Sequence, residues 1–177
     1  MSGRTGDGAP PGHSHDHAVE GMCWEDEIRH HLRPGFVVLG VGSRLRGDDA
    51  AGPVVAERLA QRGFEAAFDC GGVPENFLGK IEAIQPADIL FVDAVEFGGP
   101  PGAIGFFGGE RFEVQSVSTH SAGLSPLMDF LDQACKAVCY VLAVQPADTG
   151  YEAQMSEPVR RAVEEIVSSP VWLERRG

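Results

Sequence analysis

The chain has 177 residues, 43% of them hydrophobic, and a formal net charge of −12. That length suits one domain with a proper core, and the acidic balance argues against nucleic acid or an anionic membrane as a partner. No run approaches the roughly 20 apolar residues of a membrane span, and no apolar signal segment opens the chain.

Residues 1–21 are rich in Gly, Pro, Ser and Asp, a composition that favours a flexible tail before a single domain from residue 22 to 177. Within the tail, His13, His15 and His17 form a short tract able to chelate a transition metal weakly, or to be merely solvated. Met22 to Leu32 reads as a short helix on the spacing of Trp24 and Ile28. Phe36 to Val41 is an apolar run of the kind buried on both faces of a parallel sheet. A glycine turn follows and ends in Asp48 and Asp49, then a helix from Ala50 to Arg62 with Gly63 at its C-terminal cap. Phe64 to Asp69 is a modest strand candidate. Asn76 opens a helix to Ile84, with Leu78, Ile81 and Ile84 expected to face inward.

Ile89 to Ala94 is a second central strand, apolar except for Asp93. The short link through Glu96 to Gly102 leads to Ala103–Phe107, and its length predicts an antiparallel hairpin between these two strands. Phe112 to Val117 is ambiguous. A helical stretch to Ala134 follows Thr119 and His120, with Leu124, Leu127, Met128 and Leu131 in phase. Val138 to Val144 is a buried strand, and Ser156 with Pro158 opens a last helix to Val167. This alternation predicts an α/β fold: a three-layer α/β/α sandwich around a twisted, mostly parallel mixed sheet of about five strands.

Three of these segments carry a polar group at the carboxyl end of a strand or in a loop before a helix: Asp48 with Asp49, Asp93 with Glu96, and His120. In open α/β sheets those ends converge on one edge, so two carboxylates and an imidazole could meet there as ligands for a divalent metal. Blander roles remain open for each. An acid can cap a helix, Asp93 can cap a turn, and His120 can stand beside a capping Thr119 or Ser118. An ionised carboxylate ending a buried strand is costly unless paired or liganded, which favours a function for Asp93. Cys135 and Cys139 read as buried thiols, and all four cysteines as reduced. Nucleophile-elbow, HExxH and phosphate-loop motifs are absent.

Together these motifs resemble the hydrogenase maturation endopeptidases. Gly40-Val41-Gly42-Ser43 with Asp48-Asp49-Ala50-Ala51-Gly52 is similar to the family's GxGN…DDGxG segment, with Ser43 at the usual asparagine and Ala50 at the usual glycine. Gly72-Val73-Pro74-Glu75-Asn76 resembles the GxxPEN of the branch serving formate-hydrogenlyase-type hydrogenases. Val92-Asp93-Ala94, Thr119-His120 and Gln145-Pro146 resemble further family segments. The resemblance implies an endopeptidase, aspartic-type by family classification, that removes a C-terminal extension from the nickel-loaded precursor of a NiFe hydrogenase large subunit. It implies that Asp49, Asp93 and His120 contact nickel, presented by the substrate subunit, while Asp48 caps and holds the turn with support from Ser43. A cytoplasmic monomer with no nucleic-acid or membrane partner is expected. The alternatives are a non-catalytic nickel-binding or chaperone protein, suggested by the histidine tract, and a general zinc hydrolase.

Overall fold

Continuous apolar runs alternate with amphipathic segments in this chain, and in the computed structural model they build helices on both faces of one sheet. The structure describes residues 22–108 and 124–175. The strands are β1 (Val37–Val41), β2 (Ala67–Gly71), β3 (Asp88–Ala94), β4 (Ile104–Gly108) and β5 (Val138–Val144). The helices are α1 (Trp24–His31), α2 (Ala51–Gln61), α3 (Leu78–Ile84), α4 (Leu124–Cys135), α5 (Glu157–Ser168) and the short α6 (Val171–Glu174). Two 3-10 turns, Gly47–Ala50 and Pro74–Phe77, stand in front of α2 and α3.

The sheet runs in the order β2-β1-β3-β5-β4, parallel except for β4. β1 and β3 are buried at every position, as the apolar runs Val37–Val41 and Ile89–Val92 require, and Asp88 and Asp93 are buried with them. Alternate residues feed two cores. Val38, Leu90, Val92, Leu142 and Val144 face α1, α2, α5 and α6. Val37, Leu39, Ile89, Phe91 and Val141 face α3 and α4. Each large side chain buried this way contributes about 1.5–3 kcal/mol. The predicted three-layer sandwich is the observed one.

Three expectations are corrected. β3 and β4 do not form a hairpin: β4 pairs antiparallel with β5, which lies between them. Residues 95–103 make a wide loop rather than a tight turn, and β5 supplies its hydrogen bonds. Val95 donates to the Val144 carbonyl, Gly102 to the Gln145 carbonyl, and Gln145 to the Ala103 carbonyl. Ile84 is exposed at the last position of α3, where the chain turns away through Gln85 in the left-handed region; only Ile81 of that helix is fully buried. β2 also starts later than expected, at Ala67.

The start of α2 sits unusually close to the sheet. A Cβ on Gly52 would lie 2.2 Å from the Val92 carbonyl oxygen and 2.3 Å from that of Val41. Both obstacles are backbone and cannot yield. Gly52→Ala is therefore expected to cost about 3 kcal/mol or more, the upper range of overpacking, read as a lower midpoint in urea unfolding. No helix among the described residues is long and apolar enough to cross a membrane.

Candidate active site

The crossovers from β1 to β2 and from β2 to β3 place β2 and β3 on opposite sides of β1. The crevice beyond the carboxyl ends of β1 and β3 is therefore the point where strand order reverses, which is where open α/β sheets bind ligands. Asp49 enters this crevice from the 3-10 turn after β1, and Asp93 from the end of β3 itself.

The turn that delivers Asp49 is tightly specified. Gly42 has φ +130°, and a Cβ there would lie 1.9 Å from the Asp49 carbonyl oxygen, so only glycine fits. The Ser43 amide donates to Asp49 Oδ2 at 2.8 Å, and Ser43 Oγ accepts from the Leu45 amide at 3.3 Å. Ala50 has right-handed helical angles (φ −74°, ψ −8°), so alanine is accommodated without strain. Both departures from the family segment are thus compatible with the local geometry. Arg44 pins the outside of the turn to Asp69 of β2 (2.8 Å) and Glu57 of α2 (2.7 Å).

Four aspartates in the described residues are almost wholly buried, and their partners differ. Asp88, at the amino end of β3, is held by the Arg33 amide (2.6 Å) and by the Arg33 guanidinium at 2.6 and 3.0 Å. Asp48 accepts from the Ala147, Asp148 and Ser156 amides and from Ser156 Oγ, at 2.6–2.9 Å. It makes no capping bond to the helix it precedes, and instead ties the turn after β1 to the loop after β5. These two acids are satisfied and structural.

Asp49 and Asp93 are not provided for in this way. No arginine or lysine pairs with either among the described residues. Asp93 Oδ1 is buried without a hydrogen-bond partner. Burial, and after it the charge of Asp49, push the Asp93 carboxyl well above the usual carboxylate range; a bond from the Ala94 amide opposes the shift. Two neighbouring buried carboxylates, one with a bare oxygen, make a site that a divalent cation would complete. Two carboxylates alone do not select one divalent metal; an imidazole beside them would shift the preference toward zinc, copper, iron or nickel.

His120 and Thr119 lie outside the described residues, as do the histidine tract, Phe112–Val117 and the 1–21 tail. Among the described residues, no group of three or more His, Cys, Asp or Glu side chains is placed to hold a metal. Cys70, Cys135 and Cys139 are buried free thiols, and burial pushes Cys70 and Cys139 up to about 12, so they stay protonated at neutral pH.

The sequence marks Gln145 only as part of a family-like segment and does not mark Arg46; the structure gives each a place at this edge. Gln145 Oε1 accepts from the Phe97 and Gly99 amides at 2.9 and 3.1 Å, fixing the loop that follows Asp93. A polar side chain ending the buried strand β5 is the signal, the same one that singled out Asp93. Arg46 carries the other buried side-chain atom with no partner among the described residues, its Nε, in the turn before Asp48.

Residues 53–171 match the hydrogenase maturation protease family. The chain belongs to that family. Its activity is accordingly that of a peptidase of hydrogenase maturation. It is 35% identical over 133 residues to the hydrogenase 3 maturation protease of Escherichia coli K12, covering 73% of this chain and 85% of that protein. The crystal structure of a NiFe hydrogenase maturation protease from Thermococcus kodakarensis superposes with a TM-score of 0.73 at 30% identity, over 85% of this chain and 97% of the other. The solution structure of an E. coli endopeptidase of the same kind gives 0.67 at 30% identity, over 75% and 86%.

Proposed function

We propose that this hydrogenase maturation protease removes the C-terminal extension of a NiFe hydrogenase large-subunit precursor, and that it recognises nickel already seated in that precursor. The observation that carries the reading is the bare, buried Oδ1 of Asp93 beside Asp49 at the β1/β3 crevice. A pair of uncompensated carboxylates is unfavourable in a free protein and favourable once a cation arrives. The metal belongs to the substrate. Asp49 and Asp93 contact it from the two strand ends, with His120 as the third contact, and Asp48 and Ser43 hold the turn that carries Asp49. An empty precursor offers no charge to this pair and is left uncut, so processing reports that nickel insertion is complete. The net charge of −12 argues against nucleic acid as the partner.

The test is incubation with nickel-loaded and nickel-free precursor, read by mass spectrometry. The loaded precursor should lose the mass of its extension and the empty one should not. Asp49→Ala, Asp93→Ala and His120→Ala should each abolish that loss; intact processing in all three would overturn the assignment. Nickel binding without cleavage would favour a chaperone, and zinc-dependent cleavage of short generic peptides a general hydrolase.

A further inference from the structure

The edge that carries Asp49 and Asp93 also carries a set of apolar side chains that the fold does not bury. Leu45 follows β1 and is 60% exposed, Val73 follows β2 and is 51% exposed, and Tyr151 follows β5 and is 68% exposed. The other large exposed apolar side chains lie elsewhere: Met22 and Leu173 near the described termini, Ile84 and Val138 toward the opposite edge, Phe130 within α4.

The loops bearing these three residues are joined by hydrogen bonds. The Glu152 amide donates to the Leu45 carbonyl at 2.7 Å, and the Gly47 amide to that of Ala153 at 3.2 Å. The Gly42 amide donates to the Gly71 carbonyl at 3.0 Å, two residues before Val73. Asp48 clamps the base of the Tyr151 loop through Ala147, Asp148 and Ser156. Glu152 is held at φ +59°, a left-handed angle that non-glycine residues adopt at a cost and that clusters at functional sites. The rim adds exposed carboxylates, Glu75 and Glu152, with no ion pair among the described residues; of the two arginines flanking Leu45, Arg44 is neutralised by Asp69 and Glu57 and Arg46 is half-buried, so the rim stays acidic.

We propose that Leu45, Val73 and Tyr151, on three cross-linked loops around the Asp49–Asp93 crevice, dock the folded body of the precursor, through an apolar patch on it rimmed by basic side chains. This rests on the chain being a processing endopeptidase. It follows from the position of the carboxylates. Both are almost wholly buried, so a cation carried by a partner comes within their reach only when that partner is seated on this edge. A pre-formed apolar face meets it with little ordering cost, and Tyr151 brings the large, stiff side chain typical of interface anchors. Glu75 and Glu152 steer a basic rim and reject an acidic one.

The experiment measures KM and kcat of the full chain on nickel-loaded precursor. Tyr151→Ser is expected to raise KM about tenfold or more, and Leu45→Ser and Val73→Ser by severalfold, with kcat within about twofold. Tyr151→Phe keeps the ring and should stay within about twofold of the parent, as should Leu173→Ser and Val138→Ser on other surfaces. Melting temperatures matching the parent establish that each variant is folded. Unchanged KM in all three patch variants, with the parent still cutting, overturns the docking face and leaves the processing function standing. A parent that leaves loaded precursor uncut overturns the function, and this face with it.

Discussion

Asp93→Asn is expected to abolish processing and, at neutral pH, to make the folded chain more stable. Groups that merely support metal ligands are worth 10–100-fold, so on the proposed role of Asp93 as a nickel contact its loss should lower the processing rate by at least about 100-fold. The stability change has the opposite sign. Because the folded-state Asp93 carboxyl lies well above its unfolded value near 3.8, the folded chain retains a proton that the unfolded chain has released. The unfolded state then binds fewer protons, and stability falls as pH rises from about 4 through the raised folded value. Asparagine has no proton to lose. The gain of Asp93→Asn over the parent should therefore be near zero at pH 4, grow with pH, and level off above the folded value. Each 1 kcal/mol of that gain appears as roughly 2–4 °C in melting temperature for a chain of this size. Thermal unfolding from pH 4 to 8 checks the sign; a variant less stable than the parent at neutral pH would show that Asp93 is compensated within the free protein. If Asp93 contacts the cation as proposed, protons compete for the same carboxylate, and processing should weaken as pH is lowered through the same window.

Asp48→Ala is expected to be the most damaging single change to the fold at this edge. The carboxylate is fully buried and accepts four hydrogen bonds. Removing it takes the charged acceptor from the amides of Ala147, Asp148 and Ser156; bonds to a charged group contribute about 1.5–3 kcal/mol each, and water replaces part of that because these residues are exposed or half-buried. A total near 4 kcal/mol, with some rescue by water, is a large fraction of the 5–15 kcal/mol that stabilises a typical domain. Asp48→Asn keeps the shape and one acceptor but turns an amide donor toward other donors, so it should fall between. Urea unfolding measures both. The two acids of the pair should separate clearly: Asp48→Ala lowers the unfolding midpoint, whereas Asp49→Ala removes only the bond from the Ser43 amide and should chiefly remove processing. An Asp48→Ala protein with an unchanged midpoint would mean the tether between the two loops is dispensable.

The sequence by itself determined the parts whose signal is local. The apolar runs Val37–Val41, Ile89–Val92 and Val138–Val144 became strands, with every position of the first two buried and only Val138 exposed in the third. α4 formed where Leu124, Leu127, Met128 and Leu131 repeat in helical phase, and all four are buried. Asp93 stood out as a charge ending a buried strand, and the glycines around Val41 marked the turn that delivers Asp49. Tertiary structure alone decided the rest. β4 shares its hydrogen bonds with β5 and not with β3, because strand partners are chosen by the closure of distant segments, which no periodicity encodes. Adjacent Asp48 and Asp49 look alike in sequence. One is saturated by a loop about a hundred residues away and the other is left with a single amide donor, and only the packing of the β5 loop against the β1 turn makes that difference.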